Sequence, residues 1–195
     1  GPISSLLGLY HVIKNEVSDE NSMKYFDMYN GRIKRLNQTI IDILELSKVK
    51  EWQISKTLID FEQIINDCLD SFDYLPNYEN LDVKINIQPN LKVKSDRVLL
   101  NTILQNLIEN KTDSYLLIDL NVNQKNELII IVEDNGIGIN KKYQSKIFDM
   151  FYRANEKVQG SGLGMYILKN AVSKLDGKVA LISELDKGTR FEIII

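Results

Sequence analysis

Three stretches of this 195-residue chain hold the residue types from which a chemical site can be assembled. The first is Asp134-Asn135-Gly136-Ile137-Gly138, a carboxylate behind an apolar run, with two glycines two apart. Glycine lets a backbone approach a ligand closely, and a carboxylate held there is a natural acceptor for an exocyclic amine such as that of adenine. The same residues also suit a plain Asn-Gly turn. In the second stretch, Gly160-Ser161-Gly162-Leu163-Gly164, glycines open a helix whose first amides and dipole favour phosphate oxygens. A flexible loop would have the same composition, and with no strand before it this is not the dinucleotide fingerprint. In the third, Asn106 and Asn110 stand four apart and project from one helix edge. Their carbonyl oxygens suit Mg²⁺, a hard cation that takes oxygen ligands; two polar residues at a solvent boundary would look alike.

The rest of the inventory narrows the chemistry. His11 is the single histidine and Cys68 the single cysteine, so two-histidine chemistry, a disulfide framework and a cysteine-based zinc site are excluded. One unpaired cysteine fits a reducing cytosol. With 24 basic and 27 acidic residues the net charge is −3, which argues against an electrostatic nucleic-acid binder. The longest apolar runs, such as Leu128 to Val132, are too short to cross a bilayer, and no signal peptide is expected. At 44% hydrophobic and 26% charged, the chain has enough apolar surface for a real core.

The elements that must position these residues follow from periodicity. Ile3, Leu6, Tyr10, Ile13 and Val17 recur at helical spacing, and Ser18-Asp19-Glu20-Asn21 then supplies capping residues. Phe26, Tyr29, Ile33, Leu36, Ile40, Ile43 and Ser47 form a heptad seam on a second, longer helix. This hairpin, residues 1–50, has more apolar stripe than it can bury alone. Pairing into a four-helix bundle is the expected solution, and packing back on the rest of the chain is the alternative. A linker is expected from Glu51 to about Lys56.

Over residues 57–195 helices and strands alternate. Helices are expected at Ile59 to Phe72, after a cap at Ser95, at Lys141 to Phe151 and at Leu163 to Leu175, with Gly177 as the last one's stop. Pro76 and Asn77 break the chain. Strands are expected around Val83 to Ile87, Leu116 to Val122, Leu128 to Val132 (a central one), Val179 to Ile182 and Arg190 to Ile195. The pattern predicts an α+β chain: a helical hairpin, then an α/β sandwich with helices on one face of a mostly antiparallel sheet.

Asn106-Leu107-Ile108-Glu109-Asn110, Asp134 to Gly138, Ile147-Phe148-Asp149-Met150-Phe151-Tyr152-Arg153, Gly160 to Gly164 and Gly188-Thr189 occur in this order. They resemble the N, first glycine, F, second glycine and final Gly-Thr boxes of sensor histidine kinases of bacterial two-component systems. With the hairpin, which resembles a dimerisation and histidine-phosphotransfer region, the similarity covers nearly the whole chain. It implies a Bergerat-type ATP-binding sandwich, shared with gyrase and Hsp90, using ATP and Mg²⁺.

Carried over, the resemblance makes Asp134 the adenine reader, with Gly136 and Gly138 shaping its pocket and Thr189 near the adenine. Asn110 becomes the main Mg²⁺ ligand, with Asn106 close to the phosphates as a second. Tyr152 to Gln159 form a short lid with Arg153 as a phosphate contact, and Gly160, Ser161, Gly162, Leu163 and Gly164 form the phosphate cradle. Lys111 and Asp113 depart from the family, which usually has Ala after the second Asn and a basic residue two places beyond; Met150 replaces a frequent Arg. Either Lys111 takes over a phosphate contact or nucleotide binding is weakened.

The resemblance further implies a cytoplasmic kinase core, whether or not its parent is membrane-anchored, that dimerises through residues 1–50 and relays phosphate to a response-regulator receiver domain. No nucleic acid and no membrane contact by this segment are expected. His11 lacks the acidic neighbour and the following proline of a phosphoacceptor box, while Gly1-Pro2-Ile3 resembles the tail of one. The phosphoacceptor is therefore expected four residues before Gly1, with His11 as the lesser alternative. Three other readings compete. A gyrase-, Hsp90- or mismatch-repair-type ATPase usually has Glu where Asn106 stands and lacks the hairpin; an anti-sigma-type serine kinase lacks it too. A degenerate sensor would serve only as a dimeric scaffold.

Overall fold

The structure, a computed structural model, describes residues 1–72, 81–108, 115–153 and 160–195. Helix α1 (Pro2–Glu16) carries Pro2 in its first turn, where a missing amide costs nothing. Helix α2 (Glu20–Glu51) is capped as expected, the Asp19 carboxylate accepting a hydrogen bond from the Ser22 amide at 2.8 Å. The Tyr10 hydroxyl donates to Asp27, joining the two helices.

The heptad seam of α2 is divided in the folded chain. Ile33 and Asn30 are buried beside α1, whereas Tyr29, Leu36, Ile40 and Ile43 are 41–55% exposed. Beyond them Asp42, Leu46 and Val49 are buried again, Leu46 and Val49 within the main core. The lower part of α2 packs back on the chain, as the alternative has it, and the middle presents an open face. The C-terminus of α2 is closed by Lys174, whose ammonium donates to the carbonyls of Val49 (2.8 Å) and Lys50 (2.6 Å). A cation on the last carbonyls is favoured by the helix dipole.

The expected linker runs directly into a strand. β1 (Lys56–Leu58) pairs antiparallel with β3 (Lys94–Asp96), and three residues are too few to show periodicity in the sequence. Ser95 sits inside β3, opposite Thr57, so it does not cap the next helix as expected. Asp96 does: its Oδ1 accepts from the amides of Val98 (3.0 Å) and Leu99 (3.1 Å). Its Oδ2 accepts from Trp52 Nε1 (2.9 Å) and the Ser55 amide (2.7 Å). Burial alone would push this carboxyl up, but these donors together hold it below the usual carboxylate range.

The remaining elements are α3 (Phe61–Asp70), β2 (Asp82–Ile87), α4 (Arg97–Ile108), β4 (Tyr115–Val122), β5 (Leu128–Asp134), α5 (Lys141–Gln144), α6 (Gly164–Lys174), β6 (Lys178–Glu184) and β7 (Gly188–Ile194). Five strands form one sheet in the order β2-β4-β5-β7-β6, with only β2 and β4 parallel. The central position of β5 is as expected. Leu128, Ile130, Val132 on β5 and Leu116, Ile118, Leu120 on β4 are fully covered, and α3, α4 and α6 supply the facing layer of one continuous core. Cys68 lies in it, its thiol pushed up to about 12 by burial and the neighbouring Asp67. Pro76 and Asn77 lie outside the described residues.

The helix expected over Lys141–Phe151 is limited to α5. After it the amides of Lys146, Asp149 and Tyr152 each bond to the carbonyl three residues back, and Phe151 takes a positive φ of 63°. These successive turns bury Ile147 and set Phe148 edge-on to Phe191 of β7, with ring centroids 6.5 Å apart.

Candidate functional site

Asp134 ends β5, where the register places it opposite Thr189 of β7 and Leu116 of β4. The side chain is 7% exposed, and its Oδ1 accepts the Gly136 amide at 2.9 Å. That bond bends the chain directly after the strand and fixes the carboxylate, so Asp134-Asn135-Gly136 is both a turn and a held acceptor. Two glycines around it admit no substitute. A Cβ on Gly138 (φ +63°) would lie 1.9 Å from the Glu184 carbonyl oxygen, and one on Gly188 (φ +116°) 2.0 Å from the Asp134 carbonyl oxygen. Both conditions, left-handed backbone and contact with main chain, exclude a side chain.

Thr189 is buried beside Asp134, with its hydroxyl 3.0 Å from that of Ser183. Ser183 also bonds the Gly188 carbonyl (2.9 Å) and accepts the Ile139 amide (2.8 Å). Gln144 donates to the carbonyls of Ile139 and Ser183, both at 2.8 Å. Ser183 and Gln144 thus hold the segment after the first glycine box against the β6–β7 turn. Neither shows in the sequence, because each is a single polar residue acting through a partner about forty positions away.

The second group of site residues lies where α4 meets the start of α6. Asn106 is buried, and its Nδ2 donates to the Thr102 carbonyl at 2.8 Å. That bond turns Oδ1 toward Gly164, where an added Cβ would come within 2.8 Å of it. Asn106 therefore presents a fixed oxygen acceptor at the mouth of α6, the sense a cation ligand requires. Gly162 (φ +81°) lies against the backbone of Phe151 and Tyr152, its imagined Cβ 2.8–2.9 Å from their atoms. Tyr152 is half-buried, its ring 6.4 Å from Tyr143. Gly160 has φ +145° with open space around it, and Arg153 is half-buried.

Ser161 is buried, donates to Asp42 of α2, and accepts the Leu163 amide at 3.0 Å. The sequence reading leaves the first amides of this helix free, but the Leu163 amide is engaged by its own loop. Asp42, which touches this loop from the hairpin, is a further residue that sequence reasoning misses. Asn110, Lys111 and Asp113 lie outside the described residues, as do residues 154–159 of the expected lid. Among the described residues no three His, Cys, Asp or Glu side chains gather as a metal site. The oxygen of Asn106 fits a cation whose other ligands are amide and phosphate oxygens. Nor, among the described residues, is any helix long and apolar enough to cross a membrane.

Comparison with known proteins agrees with this arrangement. The family model described as histidine kinase-, DNA gyrase B- and HSP90-like ATPase matches residues 95–195. The autoinducer 2 sensor kinase/phosphatase LuxQ of Vibrio vulnificus is 29% identical over 211 residues, covering 100% of this chain and 25% of its own length. The chain thus spans about a quarter of that relative. Among solved structures, full-length ShkA in complex with AMPPNP superposes with a TM-score of 0.73 at 19% identity, over 99% of this chain and 42% of that one. Histidine kinase ThkA in complex with the response regulator TrrA gives a TM-score of 0.70 at 22% identity, over 100% and 57%. At such identities these two likenesses show a shared fold.

Proposed function

Because the chain belongs to the histidine kinase-, DNA gyrase B- and HSP90-like ATPase family, and is homologous along its length to a sensor kinase, we propose that it is the kinase core of a two-component sensor. Residues 57–195 bind ATP and Mg²⁺, and residues 1–50 carry the dimer contact. The observation that carries this reading is the meeting of Asn106 with Gly164, which joins two boxes 58 positions apart at the start of one helix. Asp134 would take the adenine amine, with Gly136, Gly138 and Thr189 around the ring. Asn106 and Asn110 would hold Mg²⁺, which neutralises phosphate charge. The amides of Gly160 to Gly164, with Arg153 and Lys111, would hold the phosphates, and Tyr152 would flank them.

Phosphoryl transfer asks the protein mainly for positioning and charge neutralisation. A neutral imidazole attacks the γ-phosphorus in line; the N–P bond forms as the bond to the β–γ bridging oxygen breaks, and ADP leaves. The phosphate then passes to an Asp carboxylate of a receiver domain, the kind of partner that ThkA holds. Using ATP and a receiver implies a cytoplasmic setting. We place the acceptor imidazole four residues before Gly1, because Gly1-Pro2-Ile3 resembles the tail of such a box. His11, further along α1 and edge-on to Tyr10, is a bystander. A water-activating ATPase would need a carboxylate where Asn106 stands.

A fluorescent ATP analogue titrated with and without Mg²⁺ tests the reading. Mg²⁺-dependent binding that weakens at least about tenfold in Asp134→Asn is expected, consistent with a buried polar partner left unpaired. No binding by the wild-type chain would overturn it and leave a scaffold. Transfer of γ-phosphate to His11 would overturn the acceptor assignment.

A further inference from the structure

The carboxylate that touches the second glycine loop does not come from the sandwich. Asp42 lies on α2, 119 positions from Ser161, and is 9% exposed. Its Oδ1 accepts from Gln38 Nε2 at 2.8 Å, and its Oδ2 accepts from the Ser161 hydroxyl. With its proton committed to Asp42, the Ser161 oxygen turns a lone pair to the Leu163 amide, 3.0 Å away. One of the amides on which a phosphate oxygen would depend is already occupied. An anion is also already at the loop that opens α6, where the helix dipole favours one negative group. A second anion there meets the first as a like charge.

The neighbouring turn of α2 strengthens the connection. Glu45 is half-buried beside Thr102, and burial together with the Asp42 charge holds its carboxyl above the usual range. The Thr102 carbonyl in turn fixes Asn106. The same two turns of α2 therefore reach both the glycine loop and the residue that positions the amide oxygen facing it.

We propose that Asp42 and Ser161 form an autoinhibitory latch, in which α2 holds the second glycine loop in a phosphate-free conformation that a nucleoside triphosphate must displace. This rests on the nucleotide reading of the site. It adds that affinity for the nucleotide is set from the hairpin, so any movement of α2 that withdraws Asp42 frees the Leu163 amide and removes a competing charge.

Two measurements test it. In the nucleotide-free chain, hydrogen exchange at the Leu163 amide reports the latch directly. Asp42→Ala and Ser161→Ala should each speed it about tenfold, and the double variant no further, as expected for two residues acting through one contact. With nucleotide, Asp42→Asn keeps the volume and an acceptor oxygen but drops the charge. It should bind a fluorescent ATP analogue with Mg²⁺ about three- to tenfold more tightly. Thermal melts identify a variant that fails to fold; should Asp42→Ala be one, Asp42→Leu, which has no acceptor, decides the exchange readout and Asp42→Asn the affinity. Unchanged exchange at Leu163, or affinity in Asp42→Asn equal to or weaker than wild type, overturns the latch. If wild type binds the analogue and Asp42→Asn binds no better, the latch fails and the nucleotide site stands. If exchange responds but no variant binds the analogue, the nucleotide site fails and takes the inhibitory role with it.

Discussion

In the sandwich, Leu100, Ile103, Leu104, Ile130 and Leu168 are each 1% exposed or less, whereas in the hairpin Tyr29, Leu36, Ile40 and Ile43 lie 41–55% open along one line of α2. Both regions are rich in large apolar side chains. The sandwich brings a sheet and three helices against one another, so their facing apolar sides cover one another within the chain. In the hairpin, α1 lies against the upper part of α2 and α6 against the lower part. Among the described residues, a stripe between these two contacts is left without cover. The comparison teaches that stability and the proposed assembly are separable here: the first resides in residues buried by the chain itself, and the second would fall to the residues of this open stripe.

The largest effect that would sharpen this contrast is expected in the sandwich. Leu104→Ala leaves a cavity in a fully packed layer and should cost about 2–5 kcal/mol in denaturant or thermal unfolding. A loss under about 1 kcal/mol would break the picture of a closed core.

Next comes Asp96→Ala, at the joint between the two regions. It removes the cap of α4 and the acceptor for Trp52 Nε1 and the Ser55 amide, and should cost roughly 2 kcal/mol at neutral pH. The Asp96 carboxyl is held below its ordinary range, so its contribution is present above about pH 4, the ordinary value for an unfolded Asp. It fades as pH falls through the depressed native value. The gap between wild type and variant should therefore narrow on acidification; a gap that widens would break the assignment.

The smallest effect on stability is expected from Leu36→Glu with Ile40→Glu. Both sites are exposed, so the unfolding free energy of the single chain should shift by no more than about 0.5 kcal/mol per site. Sedimentation should nevertheless report loss of the proposed dimer. A dimer that survives both charges would place the pairing face elsewhere.

The chemistry of the site was more legible in the sequence than its coupling. Asp134, the two glycine loops and Asn106 announce themselves because carboxylate, glycine and amide types stand at fixed short spacings, and the fold keeps those spacings. Gly138 and Gly188 are needed for backbone contacts with Glu184 and Asp134, which no local window contains. The same limit explains Ser95 and Asp96, adjacent residues that both suit a cap; pairing of Ser95 with Thr57 hands the role to Asp96. The turns after Gln144 escape because the apolar spacing of Ile147, Phe148 and Phe151 serves a chain of turns as well as a helix. Asp42 escapes for a third reason. On a polar helix an acid reads as a solvated residue, and only packing against α6 makes it a partner of Ser161.

Helix α2 has 32 residues, a rod of roughly 48 Å at 1.5 Å per residue. Its upper end is gripped on the side of Asn30 and Ile33, and its lower end on the side of Asp42, Leu46 and Val49. At about 100° per residue those two sides are separated by roughly 160°, a little under half a turn. As a machine part it is a shaft keyed at both ends on different flats, with the Lys174 ammonium seated on its lower tip. Such a shaft cannot be rolled at α1 without rolling at α6. A twist of a few tens of degrees applied above would reach the glycine loop as torque rather than as a push.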